Sequence, residues 1–298
     1  MRLGVHVVSF DFPGGAAAIG PTLAETARLA EQGGIDNLSV MDHYLQMQEA
    51  GLGAVDQPML EGYTTLGFLA AHTSTAELQL LVTGVAYRHP GLLAKILSTL
   101  DVLSRGRAVL GIGAGWYERE HAAYGVPFPP VSERFERLEE TLQIVRQMWS
   151  DDVRAYDGRH YHLAETINSP QPLRTPPIMI GGAGEEKTLR LVAKYADATN
   201  LFARGDLGPE AVRAKLAVLA EHCEREGTDY DRIRKTILWT EPVATDPGGA
   251  RRFVDTMTGF AAVGVDEVHV MPYLADPVAY VAGLGDNVVP SLREVVAG

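Results

Sequence analysis

Short apolar runs alternate with longer amphipathic stretches along the whole chain. Runs of about four to eight residues rich in Val, Ile and Leu are typical of buried strands. Eight such runs occur, at residues 3–8, 37–41, 78–82, 107–112, 177–180, 198–202, 236–243 and 267–271. Apolar positions at helical spacing follow them, at residues 21–33, 63–73, 91–103, 132–149, 185–195, 209–226, 248–263 and from residue 277 onward.

This regular alternation predicts a parallel sheet with helices around it. Eight units within 298 residues favour a closed (β/α)8 TIM barrel over an open sheet. We therefore expect residues 1–298 to form a single barrel domain. Residues 150–173 interrupt the pattern after the fourth helix, and their Asp157-Gly158 pair is typical of a hairpin turn. We interpret this stretch as an insertion.

Composition and charge narrow the class of protein. The chain is 46% hydrophobic and 21% charged, as in ordinary globular proteins, and its net charge is −12. The surplus of acidic side chains argues against a nucleic-acid partner and an anionic membrane. We see no signal peptide and no apolar stretch long enough to span a membrane, so we expect a cytoplasmic protein. The one cysteine, Cys223, excludes a disulfide framework and a cysteine zinc site.

The spacing of histidines gives little support for a metal site. Barrel hydrolases bring histidines together from several strand ends, typically beginning with a His-x-His pair on the first strand. Here the first strand contains His6 alone, and His160 and His162 stand on the insertion. We therefore predict no metal site and disfavour a metal-dependent hydrolase.

Chemistry in such barrels is expected at the C-terminal ends of the strands. Together with His6 inside the first strand, the candidates are Ser9, Asp42, His43, Thr83, Gly84, Val85, Trp116 and Asn200. His43 is the candidate acid or base, because histidine titrates near neutral pH and a carboxylate stands beside it. Two alternatives stay open. His43 can be a structural histidine at a strand end. Asp42 is the second candidate catalytic residue, and it can take part directly in the chemistry, cap a helix or accept a hydrogen bond from a ring nitrogen.

Glycines follow two of the predicted strands. The run at 177–180 stops at Gly181, Gly182, Ala183 and Gly184, and a helix-forming segment comes next. A glycine turn between a strand and a helix leaves backbone N–H groups uncovered, which suits a phosphate; a tight turn without a ligand is the alternative. The other cluster, at 111–115, lacks the spacing of a dinucleotide fingerprint. We expect it to let a flat group approach the backbone, with Trp116 either beside that group or packed in the core.

Six segments stand in a distinctive order and spacing. They are SVMDH at 39–43, LVTGV at 81–85, RHP at 88–90, LDVLSRGR at 100–107, GIGAGW at 111–116 with Glu120, and IGGAGEEKTL at 180–189. Taken together, these segments resemble the bacterial-luciferase-like superfamily of flavin and deazaflavin enzymes, and most closely its branch that uses the 5-deazaflavin coenzyme F420. The likeness covers nearly the whole chain.

The resemblance implies a role for the motifs near the coenzyme ring. A histidine at the position of His43 is the acid or base beside the reactive carbon, and Asp42 binds the polar edge of the ring. The segment of Thr83, Gly84 and Val85 forms a bulge behind the ring. That bulge contains a non-proline cis peptide, which we place at Gly84–Val85.

The same likeness assigns residues to the coenzyme phosphate and to the substrate. The phosphate would bind at Gly181, Gly182, Ala183 and Gly184, with Lys187 or Arg88 as a charge partner, while Trp116 would contact the ring. The candidate substrate contacts are His6, Ser9, Trp116 and Asn200, from their positions in or at the ends of the strands, and Glu120, which matches a general family position and is expected to bind or orient and not to react. Sugar-phosphate dehydrogenases of the superfamily carry a glutamate directly after the glycines of strand four. Trp116 takes that place here, which disfavours this substrate class.

We therefore expect an oxidoreductase that uses coenzyme F420 and transfers a hydride between the deazaflavin C5 and a small organic substrate. An FMN-dependent luciferase-like monooxygenase is the alternative, and a non-catalytic flavin-binding protein is a third possibility. The resemblance also implies a homodimer. Residues 44–62 and the insertion are expected to shape the pocket, with Met47, Leu52, Met59 and Leu60 forming an apolar lid.

Overall fold

Parallel strands close into a barrel at the centre of the molecule. The computed structural model describes residues 1–273 and 276–297. Its strands are β1 (Arg2–Val7), β2 (Asn37–Val40), β3 (Glu77–Leu80), β4 (Thr83–Gly84), β5 (Ala108–Gly113), β6 (Tyr156–Asp157), β7 (His162–Leu163), β8 (Ile178–Gly181), β9 (Ala198–Ala203), β10 (Arg234–Trp239) and β11 (Glu267–Val270). In the barrel, neighbours pair in the order β1, β2, β3, β5, β8, β9, β10 and β11, and β11 pairs with β1. The predicted (β/α)8 TIM barrel is confirmed.

Helices surround the barrel. They are α1 (Ala16–Gln32), α2 (Gly62–Ala71), α3 (Pro90–Ser104), α4 (Glu118–Tyr124), α5 (Val131–Met148), α6 (Thr188–Tyr195), α7 (Pro209–Glu226), α8 (Pro247–Ala261), α9 (Pro277–Asn287) and α10 (Val289–Leu292). Proline opens α3, α7, α8 and α9, where the backbone N–H that it lacks would have no helical partner. None of the helices within the described residues is long and apolar enough to cross a membrane.

Two helices begin three or more residues away from the start that the sequence pattern predicts. The first helix begins at Ala16, so Pro21, at which the helix was expected to begin, lies inside α1. The helix after the glycine turn begins at Thr188, since residues 185–187 still belong to the turn. The turn proposed for a phosphate is therefore three residues longer than expected.

Alternation along the strands separates the two faces of the barrel wall. Outward side chains such as Leu3, Val5 and Leu38 pack against the helices in the main core. Inward side chains change character from one end of the barrel to the other. The N-terminal end is charged, with Arg2, Glu77, Arg234 and Glu267; the middle is polar, with His6, Ser39, Gln79, Thr236 and His269; and the C-terminal end is apolar, with Val8, Met41, Leu81, Leu238 and Met271. We call the C-terminal end of the barrel, with the loops that leave it, the mouth.

The third strand of the barrel is broken by a bulge. One more residue lies between Gln79 and Thr83 than between their partners on β5, so the chain bulges between β3 and β4. The non-proline cis peptide lies inside this bulge, at Leu81–Val82. The predicted position, Gly84–Val85, is wrong, because Thr83 and Gly84 already pair regularly with β5 and the extra residue is accommodated before them.

The insertion contains the predicted hairpin. β6 and β7 pair with each other in antiparallel fashion, and Asp157 lies opposite His162. The turn therefore occupies residues 158–161, one residue later than the expected Asp157-Gly158 pair, and is closed by a hydrogen bond from the Gly158 N–H to the Tyr161 carbonyl. The Glu140 carboxylate on α5 accepts hydrogen bonds from backbone N–H groups of this turn. These bonds hold the hairpin on the outside of the barrel. Its role in shaping the pocket stays a prediction.

Candidate active site

His43 and Glu120 form a hydrogen-bonded pair at the mouth. His43 lies just beyond the end of β2, and Glu120 lies in the first turn of α4, which follows β5. The Nδ1 of His43 is 2.7 Å from Oε1 of Glu120. The His43 side chain is 13% exposed, whereas the Glu120 side chain has no exposed surface. Two strand ends that are far apart in sequence thus bring an imidazole against a buried carboxylate.

Further donors surround the Glu120 carboxylate. The Tyr87 hydroxyl donates to the same Oε1, and the backbone N–H of Tyr44 donates to Oε2 at 2.8 Å. Burial alone would raise the pKa of Glu120, but the hydrogen bonds and the charge interaction with His43, together with the other donors, outweigh it and lower the pKa below its ordinary value. Glu120 is therefore ionised at neutral pH. An ionised acceptor favours the tautomer of His43 that carries its proton on Nδ1, and Nε2 takes no part in this contact.

Tyr87 is a site residue that the sequence did not reveal. Burial, and then the hydrogen bond to Glu120, raise the pKa of its phenol, so the hydroxyl remains protonated and donates. The ring stacks on His121 at a centroid distance of 4.6 Å. Its position directly before Arg88 in the matched RHP segment was the available signal, but nothing local in that segment indicates a partner on α4.

Asp42 does not contact the ring of His43. Its carboxylate forms a bidentate pair with the Arg88 guanidinium, with distances of 2.5 and 3.0 Å, and accepts a hydrogen bond from the Thr83 hydroxyl. Arg88 also bonds Glu61, the N-cap of α2. The interpretation of Asp42 as acceptor for a ring nitrogen is wrong, because Glu120 takes that place. Asp42 instead joins the end of β2 to β4, and its contact with a coenzyme ring stays a prediction.

Aromatic rings flank His43. Trp116 and Tyr117 meet its imidazole edge-on, at centroid distances of 5.8 and 5.6 Å. The Tyr117 hydroxyl bonds Glu49 at 3.0 Å and ties the loop after β2 to the start of α4. Trp116 is 57% exposed. Trp116 is thus not a core residue, and its ring is available to a flat ligand beside His43.

Glycines line the wall of the mouth opposite the bulge. A Cβ added to Gly113 or Gly181 would come within 3.1 or 3.0 Å of the Val82 side chain. At Gly111 it would lie 2.0 Å from the Leu80 carbonyl oxygen. The predicted ring-contact residues Thr83, Gly84 and Val85 are all buried in this wall. Glycine is therefore required on β5 and β8 because the bulge occupies the space that side chains would fill.

The predicted phosphate turn connects β8 to α6. Gly182 has φ +121°, a conformation that side-chain-bearing residues rarely adopt, and its N–H bonds the Asn200 carbonyl. No side chain caps α6 within the part of the chain that the structure describes, and Lys187 stands at the N-cap. Ala183 is half-buried and Gly184 is exposed. These residues fit a phosphate, because the backbone at the helix start is accessible and one cation lies beside it.

His6 and Asn200 lie below the mouth, and Ser9 lies at it. The Nδ1 of His6 is 2.9 Å from the Ser39 hydroxyl, and Asn200 donates to the Thr236 hydroxyl at 2.8 Å. Burial, and then repulsion by His269 and His43, lower the pKa of His6 to about 3. Ser9 is partly exposed. That His6, Ser9 and Asn200 bind substrate stays a prediction.

The histidines of the insertion do not converge on a common point. His160 pairs with Glu136, whereas His162 pairs with Asp157. Among residues 1–273 and 276–297, no group of three or more His, Cys, Asp or Glu side chains is arranged to hold a metal ion.

Comparison with known proteins gives one family and one fold. Residues 1–262 match the sequence profile of the luciferase-like monooxygenase family. An F420-dependent glucose-6-phosphate dehydrogenase of Kineococcus radiotolerans is 33% identical over 235 residues, 76% of this chain and 66% of the relative. The protein of the same name from Nakamurella multipartita is 30% identical over 280 residues, 90% of this chain and 79% of the relative. Alignments with relatives of this name span 54% to 79% of the relatives' own length.

A solved structure shares the architecture. The structure of an F420-dependent secondary alcohol dehydrogenase in complex with an F420-acetone adduct superposes with a TM-score of 0.80 at 17% sequence identity, and the match covers 98% of this chain and 99% of that one. At this identity the likeness establishes the fold.

Proposed function

The chain belongs to the luciferase-like monooxygenase family, and from this premise we propose that it is a coenzyme F420-dependent oxidoreductase that transfers a hydride between the deazaflavin C5 and a small organic substrate. Relatives that are named F420-dependent glucose-6-phosphate dehydrogenases, at 30–33% identity, support the coenzyme. The similar fold of a structure named as F420-dependent agrees with this choice.

The hydrogen-bonded pair of His43 and Glu120 carries the proposal. A hydride transfer to or from a carbon that bears oxygen also moves a proton, and the imidazole of His43 lies at the mouth, where it would move that proton. Because the ionised Glu120 holds Nδ1 of His43, the Nε2 atom is the acceptor for a substrate hydroxyl proton in one direction and the donor in the other. The buried carboxylate also stabilises the imidazolium that forms in between.

Two other parts of the mouth would hold the coenzyme. The turn at residues 181–184, with Lys187, would bind its phosphate, while Trp116 and the bulge between β3 and β4 would contact its ring. When bound, the deazaflavin supplies the carbon that accepts or gives the hydride. The protein positions that carbon and the substrate beside His43, and provides the proton path.

Binding titrations test the coenzyme. We expect F420 to bind with a Kd of micromolar order or lower and FMN to bind at least ~100-fold more weakly, which is about 2.7 kcal/mol. The opposite preference would indicate oxygen chemistry with reduced FMN. Binding of neither cofactor would contradict the proposal. A homodimer, implied by resemblance, is tested on the same samples by light scattering.

The role of His43 is tested by the His43→Ala variant loaded with F420. We expect the Kd for F420 to change less than about threefold and turnover to fall by roughly 10²- to 10⁴-fold, the usual contribution of a general acid or base. Undiminished turnover would exclude His43 as the proton-transfer residue. Tight F420 binding without turnover in the wild type on a broad substrate panel would instead favour a non-catalytic flavin-binding protein.

A further inference from the structure

The loops that form the mouth are strongly acidic. They are the segments 8–15, 41–61, 85–89, 114–117, 182–187, 204–208, 240–246 and 271–276, of which residues 274 and 275 lie outside the described part of the chain. In sequence these segments contain eleven Asp and Glu residues but three Arg and Lys residues, namely Arg88, Lys187 and Arg204. An anionic substrate would therefore meet a repulsive field on its approach to His43.

The three cations of the mouth loops already have partners or a place at the coenzyme. Arg88 is held by Asp42 and Glu61. Arg204 pairs with Asp206 at 2.5 Å. Lys187 stands at the start of α6, beside the turn proposed for the coenzyme phosphate.

Cations on the neighbouring helices are engaged too. Arg119 on α4 pairs with Glu49 at 3.1 Å. The guanidinium of Arg134 on α5 donates to the carbonyls of Ala114 and Pro129, which anchors the loop after β5. Neither group is directed by its contacts toward a substrate beside His43.

An apolar cluster lies at the mouth. Val8, Met41, Met47, Tyr117, Leu238 and Met271 form a buried cluster that is separate from the main core. Two large rings near the strand ends are exposed, Trp116 at 57% and Phe202 at 58%. Methionine side chains adapt to irregular ligands and provide no hydrogen-bond donor. A phosphate or carboxylate moved into such surroundings would lose its hydration without a compensating partner.

We propose that the substrate is a small uncharged molecule, largely apolar, whose reacting group is a hydroxyl or the corresponding carbonyl. This inference rests on the proposed function. In the oxidation, the C–H bond of the alcohol breaks and its electron pair moves with the hydride to the deazaflavin C5. The O–H proton goes to Nε2 of His43, and a C=O bond forms. One coenzyme is reduced for each alcohol oxidised, and the reverse reaction consumes the same proton.

Matched substrate pairs test the charge preference. Cyclohexanol and 4-hydroxycyclohexanecarboxylate share the reacting alcohol and differ by one carboxylate. Glucose 6-phosphate serves as a second anion. With F420-loaded protein, we expect kcat/KM for cyclohexanol to exceed that for its carboxylate partner by at least ~30-fold, which is about 2 kcal/mol. Isothermal titration of the same compounds into F420-loaded His43→Ala protein gives the binding preference without turnover.

A charge substitution at the mouth provides the complementary test. Phe202→Arg adds a cation on an exposed position, and we expect it to raise kcat/KM for the carboxylate at least fivefold relative to cyclohexanol. Phe68→Arg, on α2, is the matched control, because Phe68 is also an exposed phenylalanine, at 38%. It should leave the ratio unchanged.

The outcomes separate this inference from the proposed function. Failure to bind F420 would contradict the proposed function itself. With F420 bound, equal or better binding and turnover of the anionic compounds would overturn the uncharged substrate class and leave the coenzyme assignment standing. If no neutral alcohol or ketone binds at millimolar concentration, the uncharged substrate class is likewise overturned and the coenzyme assignment stands.

Discussion

The Nδ1 atom of His43 lies 2.7 Å from Oε1 of Glu120, and 77 positions of sequence separate the two residues. The contact depends on the closed barrel, because His43 follows β2 and Glu120 belongs to the helix after β5. The Tyr87 hydroxyl donates to the same oxygen. One buried carboxylate thus orients the imidazole by binding its Nδ1 atom and leaves Nε2 outside this contact.

Replacing the carboxylate of Glu120 should impair turnover more than binding. Glu120→Gln keeps the size of the side chain but removes the charge that stabilises the imidazolium of His43. We expect kcat to fall roughly 10- to 100-fold, the usual effect of losing a carboxylate that orients a functional histidine, with the Kd for F420 nearly unchanged. Single-turnover kinetics and a fluorescence titration measure the two quantities. Tyr87→Phe, which removes one donor and no charge, should have a smaller effect, and wild-type kcat in Glu120→Gln would refute the role.

The conformation of Gly182 leads to a prediction for coenzyme binding. Its φ of +121° lies in a region that alanine rarely adopts, so Gly182→Ala must distort the turn between β8 and α6. We expect the Kd for F420 to rise at least about tenfold, with kcat at saturating coenzyme changed much less. Gly208→Ala is the control, because Gly208 also precedes a helix but has φ −77° and open space where a Cβ would stand. Equal affinities in the two variants would place the phosphate elsewhere.

The barrel and the strand ends could be predicted from the sequence because both follow from local patterns. Each apolar run is followed by a helical stripe, and the residue after a run must lie at the mouth of a parallel barrel. His43, Trp116 and Gly182 were identified in this way. We can predict that each of these residues lies at the mouth without knowing which residues are its neighbours in space.

The partners of those residues could not be predicted, because they come from other units of the barrel. Asp42 and His43 are adjacent in sequence, yet Asp42 bonds Arg88 and Thr83, whereas His43 bonds Glu120. Consecutive side chains at a strand end point to different sides. Adjacency therefore suggested the wrong carboxylate for His43, and the bulge was misplaced for a similar reason, since it is defined by pairing with β5.

The ion pair of Asp42 and Arg88 should contribute to stability. Both side chains are largely buried, with exposures of 0% and 11%, and the pairing is bidentate. Asp42→Asn leaves the guanidinium without its main counter-charge, and breaking a buried pair in this way typically costs about 3–5 kcal/mol. We expect a loss of free energy of unfolding of that order in urea titrations. Asp206→Asn removes the exposed pair with Arg204 and should cost less than about 1 kcal/mol; similar losses for both variants would contradict the importance of burial.

The buried His6 should make the stability of the fold depend on pH. Burial and the neighbouring His269 and His43 lower its pKa to about 3, while an unfolded histidine titrates near pH ~6.5. Between these values the unfolded chain binds a proton that the folded chain does not, so the free energy of unfolding falls as pH decreases. The slope from this one residue approaches about 1.4 kcal/mol per pH unit. Above pH ~6.5 its contribution is constant.

A non-titrating replacement isolates this contribution from that of the carboxylates. His6→Asn retains a side-chain nitrogen near the Ser39 hydroxyl, which His6 contacts through Nδ1 at 2.9 Å. Urea unfolding at pH 7.5, 6.0 and 5.0 gives the slope for each protein. The variant starts from a lower stability, because the smaller side chain leaves space in the barrel. Its loss between pH 6.0 and 5.0 should nonetheless be smaller than that of the wild type by about 1 kcal/mol. Equal pH dependence of unfolding in the two proteins would contradict this prediction. It would show that His6 has the same pKa in the folded and the unfolded chain, and that the polar middle of the barrel accepts a charged imidazole.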